Sequence, residues 1–375
     1  MIPDQISDAL AQGTGDPKDG VGLCLSGGGY RAMLFHVGSL WRLAELDALR
    51  DLTRISSVSG GSITAGVLAL AWPKLLAEGL PAFIRDVAGP VRKLASVTID
   101  ERAILGGIVL PGSISAYVAR AYAKHLFGDA TLQHLPEEPR FIFNATNLET
   151  GSLFRFTRRE IRDWRVGRIP APEVKLADAV AASSAFPPIL SPFILDVAPG
   201  DFDDPLPGEL SADAFRSDIS LTDGGVYDNL GLQQVWGRCR TVLVSDAGGH
   251  IADDPSPPGD WARQSTRVLE VIDQQVRNLR MIQVVGSLKE KKRLGAFWSV
   301  RTDIADYTLA DALACPVEET TRLAAVPTRL RRLEARQQER LINWGYAVAD
   351  AGIRRYWQPQ AAIPAGFPYP EAGIG

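Results

Sequence analysis

The 375-residue chain has little cysteine, histidine or methionine: three, four and three residues. Cys24, Cys239 and Cys315 are too few and too scattered for a disulfide framework. Cys24 and Cys239 lie in or beside apolar, strand-like runs and read as buried small hydrophobes. A reducing compartment fits that usage, so a soluble cytoplasmic protein is expected. Charge of one sign is also lacking, with 40 Lys and Arg against 44 Asp and Glu. That balance excludes the concentrated basic face that nucleic-acid binding requires. Residues 1–20 lack the basic patch and apolar core of a secretory signal and read as a polar leader. The least polar stretch, Ala103 to Ala119, falls short of the roughly 20 residues of a membrane-spanning helix, and Gly106-Gly107 and Pro111-Gly112 interrupt it.

What is present is ordinary core-building material, 46% hydrophobic and 22% charged, in a pattern of alternating strands and helices. Val21–Gly27 reads as a buried strand and residues 31–47 as an amphipathic helix. Arg54–Ser59 reads as a second strand, followed by a helix from Gly61 to Trp72 that Pro73 is expected to stop. Arg140–Asn147 and Ser152–Phe156 read as strands. Leu176–Leu190 reads as a small-residue helix ended by Pro187-Pro188. Residues 198–218 form a turn-rich cluster, and two apolar runs end in Asp223-Gly and Asp246-Ala-Gly. Residues 262–285 and 328–357 read as charged amphipathic helices. The expected fold class is α/β: three α/β/α layers around a mostly parallel sheet, with functional residues at the carboxyl ends of the strands. The expected division is a leader (1–20), a catalytic domain (21–260), C-terminal helices completing or capping the fold (261–357) and a Pro/Gly-rich tail (358–375).

Three stretches carry candidate chemistry. In SVSGGS (Ser57–Ser62), Ser59 sits between a strand and a helix, where a tight turn presents a hydroxyl and aims the following amide at a reacting oxygen. Ser57 is expected on the strand and Ser62 in the first helical turn, bonding a backbone group. Taken alone, the stretch reads equally well as a Ser/Gly turn that caps a helix. In LSGGGYRAM, three glycines between strand and helix can turn amides toward an anion. Ala32 breaks the dinucleotide pattern G-x-G-x-x-G, which leaves an oxyanion hole as the alternative, with Arg31 adding positive charge or simply forming a surface ion pair. In LTDGGVYDNLG, Asp223 ends a strand and precedes two glycines, although an Asp-Gly turn is the commoner reason for such a pair. Asp228 and Asn229 are expected to tie the loop.

A serine nucleophile needs a proton acceptor, and histidine is scarce. His36 lies inside a helix, and His125 and His134 lack a strand or glycine context. His250, after Asp246, is the serious candidate, because Ser–Asp–His is the α/β-hydrolase order.

Together and in this order, the three stretches resemble the patatin-like phospholipase family over roughly residues 20 to 250. LSGGGYR (Leu25–Arg31) looks like the family's oxyanion loop, SVSGGS like its nucleophile elbow, and TDGGVYDN (Thr222–Asn229) like its aspartate motif. NATNLETG and AVAASSAFPPI resemble segments that flank the site. Ser57 stands where the elbow usually has glycine, and fits if its φ is negative; Ala32 departs likewise.

The resemblance implies a Ser59–Asp223 dyad without histidine, metal or organic cofactor. It implies an oxyanion hole from Gly27, Gly28, Gly29 and Gly60, with Arg31, Gly61, Gly224 and Gly225 in support. The implied activity is hydrolysis of fatty-acyl esters of glycerolipids, chiefly phospholipids, with a lipid partner and peripheral contact with a membrane surface. The alternatives are an esterase using Ser59, Asp246 or Asp223, and His250, or a non-catalytic lipid-binding protein of the same fold. Ile104–Pro111 and Ala179–Pro188 are expected to line an acyl channel, rest on lipid or pack in the core.

Overall fold

The computed structural model describes residues 18–100, 113–203 and 210–375. Among them the chain runs as strand β1 (Lys18–Leu25), helix α1 (Gly29–Glu45), β2 (Leu52–Val58), α2 (Gly60–Glu78), β3 (Arg140–Asn147), β4 (Ser152–Phe156), β5 (Glu160–Asp163), β6 (Gly167–Pro170), α3 (Leu176–Ser183), β7 (Phe193–Leu195), β8 (Ile219–Asp223), β9 (Cys239–Asp246), α4 (Trp261–Lys289), β10 (Leu294–Ser299) and α5 (Ala335–Gly352), with shorter helical turns between. The leader lies outside the described residues apart from its last three, which already belong to β1.

The strands form one sheet in the order β10-β9-β1-β2-β3-β4-β5-β6, with β8 against β3 and β7 against β8. From β10 to β3 every pairing is parallel; from β3 to β6 every pairing is antiparallel. The expected three layers are present. Alternation along β1 and β9 explains them, since successive side chains point to opposite faces. Leu23, Leu25 and Leu243 join the large core under α1, α2 and α5. Cys24, Val242 and Val244 join a smaller core with Leu230, Val235 and Val284 of α4. The C-terminal region supplies the edge strand β10, and α5 is tied to α1 by a buried ion pair, Arg42 to Asp350 at 2.8 Å.

Helix α2 runs through Pro73, against expectation. The ring is exposed while Trp72 and Leu75 on either side of it are buried, so packing holds the helix across the missing amide. It ends at Gly79, whose φ is 65° and whose amide donates to the Leu75 carbonyl. Although α2 is apolar and long enough to cross a membrane, 72% of its apolar window is buried, as in a core helix. The region expected as one helix over 328–357 instead begins its helix at Ala335. Strands β5, β6, β7 and β10 carry no strong sequence signal.

Candidate active site

Strand β3 brings the two candidate groups together. Its residues 143–147 pair with β4 on one edge. On the other edge β2 pairs up to Val58 opposite Asn144, and β8 takes over at once, with Asp223 opposite Ala145. Ser59, which follows Val58, therefore meets Asp223 at the carboxyl edge of the sheet.

Ser59 has φ 51° and ψ −119°, a conformation that L-residues rarely adopt and that stores strain. The turn is over-determined by its neighbours. The Ser59 amide donates to the Ser183 hydroxyl at 3.1 Å. The Ser59 carbonyl accepts from the Ser62 and Ile63 amides and so starts α2. A Cβ at Gly60 would stand 2.2 Å from the Gly29 carbonyl oxygen, so only glycine lets the first glycine-rich loop close onto the elbow.

Ser183, which sequence reasoning had not singled out, ends a chain of hydroxyls. Its Oγ lies 2.8 Å from Ser62 Oγ, which lies 2.9 Å from Ser57 Oγ, and Ser57 donates to the Ile142 carbonyl. Ser62 thus bonds side chains rather than the expected backbone group. Ser57 is absent from the positive-φ residues, which is the condition for serine to replace glycine there. Helix α3 ends at Ser183 rather than at the prolines. Its last carbonyl and that of Ala185 just beyond it are drawn into the site: Gly224 donates to Ser183 O, and Asp223 N and Thr222 Oγ1 both donate to Ala185 O. Most of Ala179–Pro188 is core, with Ala179 to Ala182 and Ala185 buried, but Phe186 is exposed. Ile104–Pro111 lies outside the described residues.

Asp223 is buried. Burial raises its pKa to about 7, against the pull of the Gly225 amide and the nearby Ser59 hydroxyl and with help from the charge of Asp273. Oδ1 accepts from Gly225 N at 2.7 Å, and Oδ2 has no hydrogen-bond partner among the described residues. Ser59 is therefore near enough to hold the carboxyl's proton affinity down without forming a hydrogen bond of proper distance and angle. Resting-state bonds of this kind tighten when a substrate orients the hydroxyl. A Cβ at Gly224 would meet the Asn144 carbonyl at 2.3 Å, and one at Gly61 the Leu25 carbonyl at 2.5 Å. Both glycines let strand ends and turns close on one another.

Two expectations about the first loop need correction. The Gly27 amide donates to the Asn229 carbonyl at 3.1 Å, so it has no bond left for an oxyanion. The amides of Gly28, Gly29 and Gly60 make no hydrogen bond among the described residues and remain available. Arg31 is neither a surface arginine nor a free charge beside the loop. It is buried and donates to the carbonyls of Ala247, Ala324 and Val326 and to Thr328 Oγ1, clamping residues 324–328 over the loop. Burial, with neighbouring Arg301 and Arg277, lowers its pKa to about 10.

The histidine alternative does not assemble. His250 is exposed and makes no hydrogen bond to Asp246, whose carboxylate is held by Arg277 at 2.7 Å, by Ser299 and by the Gly248 amide. Burial alone would raise the Asp246 pKa, but Arg277, the Gly248 amide and Ser299 together outweigh it and the net shift is downward. His36 is buried between Ser245 Oγ and the Ser26 carbonyl, and burial lowers its pKa to about 4.

The patatin-like phospholipase family profile matches residues 23–236, more than half of the chain. The chain belongs to the patatin-like phospholipase family. At family level that membership supports a lipid acyl hydrolase. The patatin-like match begins in β1, ends near the aspartate loop and so contains all three glycine-rich turns. Human GIVD cytosolic phospholipase A2 in complex with methyl gamma-linolenyl fluorophosphonate superposes with a TM-score of 0.51 and 16% identity. The match covers 92% of this chain and 60% of that one. VipD from Legionella pneumophila gives a TM-score of 0.38 at 16% identity, covering 90% of this chain and 67% of that one. The patatin-like chain thus spans about half to two-thirds of the length of these solved structures. No curated protein sequence matches it.

Proposed function

We propose that the protein is a serine acyl hydrolase that cleaves fatty-acyl ester bonds of glycerolipids through Ser59 and Asp223. The observation that carries the proposal is a buried carboxyl, raised to about 7, with one oxygen held by Gly225 and the other left without a partner beside a strained serine.

In its ionised form Asp223 accepts the Ser59 proton as Oγ attacks the ester carbonyl, and burial gives the carboxylate the proton affinity that this task needs. The free amides of Gly28, Gly29 and Gly60, at the positive ends of α1 and α2, receive the negative charge on the carbonyl oxygen. Asp223 returns its proton to the departing alcohol, which leaves an acyl-serine. It then takes a proton from water as that water attacks the acyl group, and gives it back to Ser59 when the fatty acid leaves. The scheme uses no metal or organic cofactor.

A fluorophosphonate probe tests the nucleophile. The wild-type protein should be labelled at Ser59, and Ser59→Ala should lose both label and turnover while keeping its fold. Labelling elsewhere, or turnover retained in Ser59→Ala or Asp223→Asn, refutes the dyad. A folded protein that takes no label and shows no turnover would favour a lipid-binding role.

A further inference from the structure

Helix α4 has two faces. The inner one is accounted for, since Val284 and Leu288 pack on the smaller core and Arg277 reaches Asp246 at the end of β9. The outer one carries Trp261, Val268, Ile272, Leu279, Ile282 and Gly286. Trp261 is 81% exposed, and Val268, Ile272, Leu279 and Ile282 are more than half exposed. With Ser265 and Gln275 in the two remaining places, the line advances by four and three residues in turn along the whole helix. That is the spacing of a seam between paired helices.

Three further observations point to a second helix on this seam. The charged residues from 261 to 288, Arg263, Arg267, Glu270, Asp273, Arg277 and Arg280, all lie off the seam and off the positions that flank it. Gly286 lies about half a turn round the helix from Arg277, and a Cβ there would meet nothing within 4 Å. Nothing in its own chain requires a glycine at that helical position, where glycine costs about 1 kcal/mol against alanine. Finally, residues 263–266 and 268–272 are all exposed. The first half of α4 thus touches little of its own chain, although helices draw most of their stability from packing.

We propose that α4 pairs with α4 of a second copy of this chain, antiparallel, about a two-fold axis between Asp273 and Gln274. Trp261 then lies on the partner's Gly286, Ser265 on the partner's Ile282, Val268 on the partner's Leu279 and Ile272 on the partner's Gln275. The largest side chain of the seam fills the gap left by the smallest. A parallel pair would instead set tryptophan on tryptophan and leave the two glycines facing a gap. The exposed first half of each helix lies along the half that the other copy's core already holds. The two Gln275 side chains fall about 4.5 Å apart along the axis, a polar contact of the kind that fixes register. No charge meets its own copy. The exposed apolar residues of two seams offer on the order of 1,200 Å² for burial, the area of a small stable interface. A lipid layer would accept Trp261 but has no use for the four-three repeat or for Gly286. A helix of another protein would fit the repeat, but the side chain that complements Gly286 is already present in this chain.

The test is sedimentation equilibrium of the full chain, beside thermal melting. Wild type should sediment at twice its 40.6 kDa, at low and high salt alike. Val268→Glu and Leu279→Lys should each raise the dimer dissociation constant at least about 100-fold, because each buries unpaired charges, while the chain keeps a cooperative melting transition. Combined in one chain they should restore the dimer, since the antiparallel register sets the new charges against each other and a parallel one sets like against like. Gly286→Leu, which favours the helix of the single chain, should also dissociate the pair by displacing Trp261. A wild type that stays monomeric at its highest soluble concentration overturns the proposal, whether or not it sediments with phosphatidylcholine vesicles or with another protein. So does a dimer that none of the single variants dissociates, or a folded combined variant that stays monomeric.

Discussion

Asp223 pairs with Ala145 on the edge of β3 that β2 has just vacated at Asn144. One strand thus sets the separation of the serine turn and the carboxyl in the sheet's own register, without relying on loop conformation. Elements of a hydrogen-bonded sheet hold reacting groups more rigidly than loops do.

Asp223 is expected to govern pH dependence in two ways. With a pKa of about 7, its base form is half populated there, and kcat/KM should rise through that pH and level off above it. The stability effect has the opposite sign. The carboxyl is protonated in both folded and unfolded states below about pH 4, and ionised in both above about pH 7. Ionisation therefore costs the fold progressively between those limits, up to about 4 kcal/mol. Asp223→Asn keeps an acceptor for the Gly225 amide and removes that cost. Its melting temperature should gain on wild type from pH 4 to 7 while its turnover is lost, and a constant difference across that range would refute the assignment.

Ser59→Gly should separate strain from chemistry. Glycine adopts a φ of 51° freely, so the variant is expected to unfold at higher denaturant, by about 1 kcal/mol, while losing turnover. Equal or lower stability would mean that the elbow is not strained.

Ser183 is expected to act as a positioning residue, through the Ser59 amide and the Ser62 hydroxyl. Ser183→Ala should lower kcat about tenfold or more with little change in KM, and slow fluorophosphonate labelling to match. Loss of stability with unaltered labelling kinetics would mark its role as merely structural.

Arg31→Met removes five hydrogen bonds to Ala247, Ala324, Val326 and Thr328 and leaves carbonyls unpaired, which costs about 3 kcal/mol or more. Limited proteolysis should then open the chain near residues 324–330, next to the glycine loop. His250→Ala, at an exposed position with no hydrogen bond among the described residues, is expected to change neither stability nor turnover.

The layer order, the parallel core of the sheet and the three glycine-rich turns were legible in the sequence, because each rests on local pattern: apolar runs of strand length, helical periodicity, and glycine where chains must turn sharply. The place of Ser59 between a strand and a helix was legible for the same reason. The weaker elements were not. β5 and β6 are short and carry charges, and the second residue of β10 is Gly295, at φ 124°, where a Cβ would stand 2.0 Å from the Val242 carbonyl oxygen.

The residue types at the site came from the sequence; their division of labour came from the fold. Asp223 and Asp246 end their strands alike and both are buried. Only the structure puts Arg277 against one and leaves an oxygen of the other bare. Likewise Gly27, Gly28 and Gly29 are equivalent in the chain, and only the Asn229 carbonyl removes the first from the set of free donors. Ser183 was marked only as part of AVAASSAFPPI, a stretch flanking the site, and its role was not legible because its partner lies 124 residues away. Local conformation depends on neighbours in sequence. Proton affinity and the availability of an amide depend on which distant groups and how much water surround them, and only tertiary packing sets those.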